Sequence, residues 1–271
     1  MSSLVRLRPQ APGTAATESG LSAAAASLLG LFCCGSALAD DWYAGAARVV
    51  PADEWIVAID ASTTLTTNQS QFAYAAGTIA VGGGTLQQSG FRLKLEGLGG
   101  NYGYDQNGTG AQARGEQFEG GALAGYQQYW NNATVAFYVG LNVRENTIPS
   151  ADPLNTATGT KVGFKTAIDA YMRPTDQSML SAYASYSTAY DAYYARLRAG
   201  YAILGTGYLG TGYLGPELTF LGDDYYGQTR LGAHFSGIQL GALQFGIAGG
   251  YVWDRSYKDG YYGTLEVRAG F

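Results

Sequence analysis

Apolar and polar residues alternate along much of the chain from about residue 54 onward. The segment 133–145 is the clearest case, because every second residue is apolar: Val135, Phe137, Val139, Leu141 and Val143. The final segment, 261–271, has Leu265, Val267 and Phe271 on one face and Glu266 and Arg268 on the other. Neighbouring side chains of a strand point to opposite faces. These segments therefore predict strands with one apolar and one polar face.

The same reading applied to the whole chain predicts twelve strands. The first two alternate poorly, whereas the third, fifth, sixth, eleventh and twelfth alternate well. The predicted strands are 54–65, 71–81, 89–98, 116–129, 133–145, 161–173, 178–187, 193–203, 214–221, 226–235, 242–254 and 261–271.

The connections between these strands favour a membrane barrel over a soluble sandwich. Segments 105–115 and 146–160 are long and polar, whereas the links 130–132 and 174–177 are short. Long loops on one side and short turns on the other are typical of outer-membrane barrels, as are an even strand count and a closing strand that faces lipid. We therefore predict an all-β fold: a transmembrane antiparallel up-and-down β-barrel of about 12 strands, with 10 strands as the alternative.

Aromatic residues collect at the ends of the predicted strands. Tyr and Trp prefer the membrane–water interface, where they form girdles around a barrel. The residues expected in such girdles are Trp55, Trp130, Tyr190, Tyr193, Tyr225, Tyr226, Trp253, Tyr257 and Tyr261.

The first residues have the features of a secretory leader. Basic residues Arg6 and Arg8 precede a small, apolar stretch at 21–38, and Ala37-Leu38-Ala39 matches a cleavage signal. We expect residues 1–39 to be a cleaved signal peptide, 40–53 a periplasmic lead-in and 54–271 the barrel. An uncleaved membrane anchor is the alternative for the leader.

Composition narrows the possible partners and chemistry. Both cysteines, at positions 33 and 34, lie inside the predicted leader, so the mature chain would have no disulfide or thiolate metal site. The formal net charge is −5, which argues against nucleic-acid binding. The 40 glycines and 22 tyrosines favour strands and turns over helices. We expect the protein to lie in the bacterial outer membrane, with membrane lipid as its first partner.

Charged residues fall on the face opposite the apolar one. An Arg or Lys on the lipid face near the bilayer midplane costs about 2–4 kcal/mol, so these side chains are expected in the lumen. There they either line a narrow polar channel or pair across the lumen and fill it. The predicted lumen-lining residues are Arg92, Lys94, Glu96, Arg144, Lys165, Asp169, Arg173, Arg196, Arg198, Glu217, Arg230, His234, Glu266 and Arg268.

Catalytic chemistry has one candidate. His234, the only histidine, lies two residues before Ser236, so both side chains share a face of one strand. This pair is similar to the His-x-Ser pair of lipid A deacylase barrels, in which His acts as a base on Ser. The downstream segment 243–250 offers no Asp or Glu to orient the histidine. We therefore expect no enzyme, no metal site and no cofactor, and keep a lipid-modifying enzyme as an alternative.

Several segments resemble one known family. Four segments in the last third of the chain are similar to the cellulose biosynthesis protein BcsS family. They are Gly-Pro-Glu-Leu-Thr-Phe-Leu-Gly-Asp-Asp at 215–224, Arg-Leu-Gly-Ala-His at 230–234, Gly-Ala-Leu-Gln-Phe-Gly-Ile-Ala-Gly-Gly-Tyr at 241–251 and Tyr-Gly-Thr-Leu-Glu-Val-Arg at 262–268. Trp-Tyr-Ala-Gly at 42–45 and Gly-Phe-Arg-Leu-Lys-Leu-Glu-Gly at 90–97 fit the same family.

The resemblance implies an outer-membrane barrel that assists cellulose or exopolysaccharide biosynthesis and secretion, as a narrow channel or a surface scaffold. Its implied partners are cellulose synthase secretion components or the glucan itself. A general small-solute porin is the alternative. A barrel of twelve strands is narrow and its lumen charges narrow it further, which favours an accessory over the main conduit.

Overall fold

The computed structural model describes residues 55–106, 111–148, 157–203 and 211–271, which form a closed antiparallel barrel of twelve strands. Each strand pairs with its sequence neighbours, and β1 pairs with β12 to close the wall. The predicted fold class is confirmed. The strands are β1 Val57–Thr66, β2 Gln71–Ala80, β3 Gly90–Gln106, β4 Ala111–Trp130, β5 Ala133–Thr147, β6 Gly159–Thr175, β7 Ser178–Ser187, β8 Ala192–Ala202, β9 Tyr213–Gly222, β10 Gly227–Leu240, β11 Leu243–Asp254 and β12 Gly260–Gly270.

The closing seam defines the two ends of the barrel. β1 and β12 pair without interruption from Ala58 opposite Gly270 to Thr66 opposite Tyr262. We call the end that holds Ala58 and Gly270 the terminal rim, and the opposite end the distal rim. The predicted signal peptide (1–39) and periplasmic lead-in (40–53) lie outside the described residues.

The wall is apolar outside and polar inside. On β5, Val139 is 50% exposed, whereas its neighbour Tyr138 is 4% exposed. On β3, Phe91 and Leu95 are exposed, whereas Lys94 is buried. Water-soluble proteins place such side chains the other way round. The outer apolar face is therefore the lipid-facing surface of a transmembrane barrel. The described part of the chain contains no helix long and apolar enough to cross a membrane.

One side of the barrel is taller than the other. Strands β3 to β6 contain 17, 20, 15 and 17 residues, whereas β1 and β2 contain 10 each. β3 continues past its last partner on β2, at Asn101, and stays paired with β4 as far as Gln106 opposite Ala111. We call β3–β6 the tall wall. The prediction of a loop at 105–115 is wrong, because residues 105–106 and 111–115 belong to the paired ends of β3 and β4. These ends extend beyond the other strands and have no apolar face, so their sequence does not alternate like that of a membrane-facing strand.

The connections do not follow the predicted alternation all round the barrel. At the distal rim, the connections 67–70, 188–191 and 223–226 are short, whereas 81–89 at the terminal rim is long. Lengths at the tall wall do follow it, since 131–132 joins β4 to β5 at the terminal rim. Sequence spacing identified the turns but not which of them fold inward.

The predicted interface position is wrong for three of the aromatic residues. Trp55, Tyr190 and Tyr226 are all buried, because their rings pack inside the ends of the barrel. The other aromatic residues at strand ends include exposed side chains suited to an interface: Trp130, Tyr193, Tyr225, Trp253 and Tyr261.

Candidate functional site: the lumen

Strand register brings nearly all the predicted charged residues to the inner surface. Arg173 is the exception: its side chain is exposed at the terminal rim and does not line the lumen cavity. The others are buried or line the cavity: Arg92, Lys94, Glu96, Arg144, Lys165, Asp169, Arg196, Arg198, Glu217, Arg230, His234, Glu266 and Arg268.

The first group of ion pairs surrounds Lys165 on β6. Its Nζ lies 2.5 Å from Glu96 Oε1 on β3 and 2.6 Å from Glu119 Oε1 on β4. Lys94 Nζ lies 3.6 Å from Glu96, and Tyr74 donates to Glu96 at 3.0 Å. We call Lys94, Glu96, Glu119 and Lys165 the Lys165 cluster. It links β3, β4 and β6 on the inner surface of the tall wall.

The second group surrounds Arg198 on β8. Its guanidinium contacts Glu217 on the neighbouring β9 and lies 2.6 Å from Glu266 Oε2 on β12. Arg196 Nη1 lies 2.5 Å from Glu266 Oε1, and Tyr262 donates to Glu217 at 3.0 Å. We call Arg196, Arg198, Glu217 and Glu266 the Arg198 cluster. Since β8 and β12 are not neighbours, the pairs to Glu266 join non-adjacent strands through the lumen.

A third bridge spans the distal rim. Arg144 Nη2 on β5 lies 2.6 Å from Asp223 Oδ2 and also donates to Gln117. The other Asp223 oxygen accepts from the backbone N–H groups of Tyr225 and Tyr226, each at 2.8 Å, so the carboxylate fixes the turn. Asp223 is therefore buried, although it lies in a turn between strands.

Tyr226 completes the cover at the distal rim. Its ring packs against Tyr102 of β3 with centroids 4.9 Å apart, and Tyr104 adjoins them. Its hydroxyl lies 3.3 Å from Ser70 Oγ. Burial, reinforced by Asp254, raises the pKa of the Tyr226 hydroxyl, so it stays protonated. Turn 223–226 therefore lies across the lumen, and we call it with Tyr102 and Tyr104 the distal cover.

The terminal rim is partly filled beneath β1–β4. Arg92 donates to the carbonyl of Thr85 at 3.0 Å, and Gln127 donates to the carbonyl of Leu86 at 2.5 Å. The N–H of Leu86 donates to the carbonyl of Trp55. The Trp55 ring occupies the space that a side chain at Gly270 would need. The connection 81–89 is thereby held under this part of the lumen, which accounts for the burial of Arg92.

Between these fillings lies a cavity of about 470 Å³. Its polar lining includes Asp60, Asp169 and Arg268 toward the terminal rim. Its aromatic lining includes four tyrosines from β2, β6, β7 and β8: Tyr74, Tyr171, Tyr183 and Tyr194. We call the part of the cavity lined by these four tyrosines and by Asp60, Asp169 and Arg268 the lumen chamber.

His234 and Ser236 do come together, with His234 Nδ1 3.1 Å from Ser236 Oγ. His234 Nε2 lies 3.1 Å from the Ala199 carbonyl, which can only accept, so Nε2 carries the proton and Nδ1 accepts from Ser236. Ala199 lies in the gap of the β8–β9 ladder between Arg198 opposite Glu217 and Tyr201 opposite Leu214, and Pro216 on the β9 side of this gap has no N–H to donate. The histidine thus supplies a donor to a carbonyl beside this gap. Its orienting group is a carbonyl, where the deacylase alternative needs a carboxylate.

Replacing His234 with alanine is expected to destabilise the barrel by roughly 1–3 kcal/mol, because a buried carbonyl loses its partner. Glutamine at position 234 keeps a donor and is expected to recover part of this loss. Urea unfolding of the protein in detergent micelles, followed by tryptophan fluorescence, measures the change. Ser236→Ala is the matched control, with a smaller loss expected. Equal stability of His234→Ala and the native chain would contradict the structural role.

Sequence reasoning missed several inward residues. Glu119 lies on β4, whose alternation is poor, and Asp60 lies on β1, which alternates weakly. Their register opposite Leu98 and Arg268, respectively, would have identified their face, but register is not visible in a single sequence. With Asp223 they add three carboxylates to the acidic residues predicted in the lumen.

A closed β-wall with an apolar exterior and an interior of buried ion pairs defines a transmembrane barrel of the outer-membrane type. The family model of cellulose biosynthesis protein BcsS matches residues 62–271. The chain therefore belongs to the BcsS family of cellulose biosynthesis proteins, as its sequence resemblance indicated. No curated protein sequence matches it significantly.

Solved structures of similar shape are outer-membrane barrels of low sequence identity. KdgM porin is 11% identical, with a TM-score of 0.44 and coverage of 79% of this chain and 99% of that one. The β domain of the Bordetella autotransporter BrkA is 13% identical, with a TM-score of 0.48 and coverage of 79% and 98%. The translocator domain of NalP from Neisseria meningitidis is 11% identical, with a TM-score of 0.44 and coverage of 93% and 98%.

Proposed function

We propose that this protein is a non-catalytic accessory of cellulose or exopolysaccharide secretion in the bacterial outer membrane, acting as a scaffold with a closed lumen. The membership in the BcsS family supports the secretion role. The observation that supports the scaffold role is the filling of the lumen: two clusters of buried ion pairs project into it, the Arg144–Asp223 bridge spans its distal end, and the distal cover lies above them. A polymer conduit needs a continuous opening that these side chains occupy.

The proposed environment follows from the two faces of the wall. The apolar outer face suits membrane lipid, and both chain ends of the barrel would face the periplasm at the terminal rim, as in bacterial barrels with an even number of strands. The distal rim, with the tall wall, would face the outside. Partners on this proposal are secretion components of cellulose synthase or the glucan itself, and nucleic acid is not among them.

Two other functions keep a specific observation in their favour. The lumen cavity would suit a general small-solute porin if the distal cover opened. The hydrogen-bonded pair of His234 and Ser236 would suit a lipid-modifying enzyme. That pair faces the lumen and lacks an orienting carboxylate, which favours the non-catalytic role.

Conductance separates a closed scaffold from a porin. In planar bilayers the native protein is expected to give no steady current, because the distal cover and ion pairs fill the lumen. The double variant Asp223→Ala/Tyr226→Ala removes the Arg144 bridge and the ring against Tyr102, so current through it is expected to rise well above that of the native chain. Asp224→Ala/Tyr225→Ala, in the same turn but with exposed side chains, is the matched control. A steady open current from the native protein would support the porin instead.

The secretion role is tested in the cell. Deleting the gene is expected to lower the amount of secreted glucan, and the native gene supplied in trans should restore it. Unchanged secreted glucan after deletion would remove the proposed role. Restoration by His234→Ala as well as by the native gene is expected, because the proposal gives this residue no catalytic part.

A further inference from the structure

The lumen chamber contains charged groups with unused bonding capacity. The Lys165 and Arg198 clusters are tightly paired, whereas Arg268 Nε lies 3.7 Å from Asp60 Oδ1, beyond hydrogen-bond distance. Among residues of the described ranges, none forms an ion pair or hydrogen bond with the carboxylate of Asp169, which is exposed to the chamber. A charged group in a concave site without a protein partner is available to a ligand.

Aromatic rings supply the other half of the lining. Tyr183 and Tyr194 form a tilted pair with centroids 5.9 Å apart, and Tyr171 is 37% exposed although it points inward. The whole lumen cavity, of which the chamber is a part, has a volume of about 470 Å³, within the range of roughly 300–1,000 Å³ of small-molecule sites. The chamber offers a ligand in this cavity ring faces for apolar contact and carboxylates to accept hydrogen bonds.

These features together favour a neutral sugar. A β-linked pyranose presents apolar C–H groups on its ring faces and hydroxyl groups around its edge, which match tyrosine rings and carboxylates respectively. Outside the paired clusters the chamber has Asp60 and Asp169 against Arg268, so its charge does not favour an anion. A neutral molecule with many hydroxyl groups uses both kinds of lining.

We propose that the lumen chamber binds the end of a short neutral gluco-oligosaccharide. The chamber chemistry argues for a neutral sugar on its own, whereas the choice of glucose rests on the proposed secretion function. The distal cover lies above the chamber, so the sugar enters from the terminal rim, where Asp60 and Arg268 are the more exposed lining groups. The chamber holds a chain end and does not pass the chain through.

Isothermal titration of the full chain in detergent micelles with cellotetraose tests this. Saturable binding is expected, weakened about tenfold or more by Asp169→Asn, which loses a charged acceptor, and by Tyr171→Ala, which loses a ring face. The matched controls are Asp224→Asn, exposed at the distal rim, and Tyr201→Ala, on the lipid-facing side; both are expected to bind like the native chain. Heat-dependent gel mobility of each variant verifies the folded barrel.

Other outcomes overturn the proposal. They are the absence of cellotetraose binding, binding that Asp169→Asn and Tyr171→Ala both leave unchanged, and tighter binding of an anionic tetragalacturonate than of cellotetraose. If cellotetraose does not bind but gene deletion lowers secreted glucan, the sugar site in the chamber is rejected and the secretion role is kept. If cellotetraose binds but gene deletion leaves secreted glucan unchanged, the secretion role is rejected and the sugar site is kept.

Discussion

Replacing Lys165 with methionine is expected to destabilise the barrel by about 3–5 kcal/mol, the usual cost of removing one partner of a buried ion pair. The substitution leaves the carboxylates of Glu96 and Glu119 without their closest cation. Lys94 and Arg144 stay at 3.6 and 3.8 Å from these carboxylates, too far to replace contacts of 2.5 and 2.6 Å fully. Urea unfolding in micelles gives the change in the free energy of unfolding.

Two companion variants make this result interpretable. Arg173→Met changes a cation on the same strand that is exposed at the terminal rim, and is expected to alter stability by about 0.5 kcal/mol or less. The triple variant Lys165→Met/Glu96→Gln/Glu119→Gln removes the stranded charges and is expected to regain much of the loss. Native-like stability of Lys165→Met alone would show that the Lys165 cluster does not hold the strands together.

An arginine in place of Val139 is expected to cost about 2–4 kcal/mol, because Val139 lies on the outer face near the middle of the membrane-spanning part of β5. The same substitution at Met172 is expected to cost only about 0–1 kcal/mol. Met172 is also outward-facing but lies at the terminal rim, opposite Ala133, where the guanidinium reaches water.

Folding into lipid vesicles, followed by urea titration, measures both variants. The comparison is made between two apolar, outward-facing residues on neighbouring strands, so side-chain chemistry is matched and depth is the main difference. Equal costs at positions 139 and 172 would contradict the placement of the outer face in a bilayer.

Local alternation predicted the strands well because each strand has different surroundings on its two faces. The fifth predicted strand, 133–145, matches β5 within two residues, and the seventh, 178–187, coincides with β7. The same signal assigned Arg92, Lys94 and Glu96 to the inner face, where the structure has them. One strand is enough for such a prediction, since only its own side chains are compared.

Features that depend on closure were not available from the pattern. Tyr226 has the sequence context of an interface residue, but the turn that carries it folds inward because Asp223 meets Arg144 from β5. Glu119 faces inward through the register of β4 against β3, while its own segment is rich in glycine and does not alternate. Such contacts join residues far apart in sequence, and a chain read one window at a time does not contain them.

The tall wall makes the barrel asymmetric around its axis, because one side is taller than the other. If the distal rim faces outward, the paired ends of β3 and β4 extend on the order of 15 Å beyond Gln71, the residue of β2 at the distal rim, at roughly 3.3 Å per residue. A partner that approaches from outside would then meet this ledge before it reaches the low side formed by β1 and β2. A partner bound to this ledge would fix the orientation of the barrel about its axis. In every such complex the low side would then face the same direction relative to the partner.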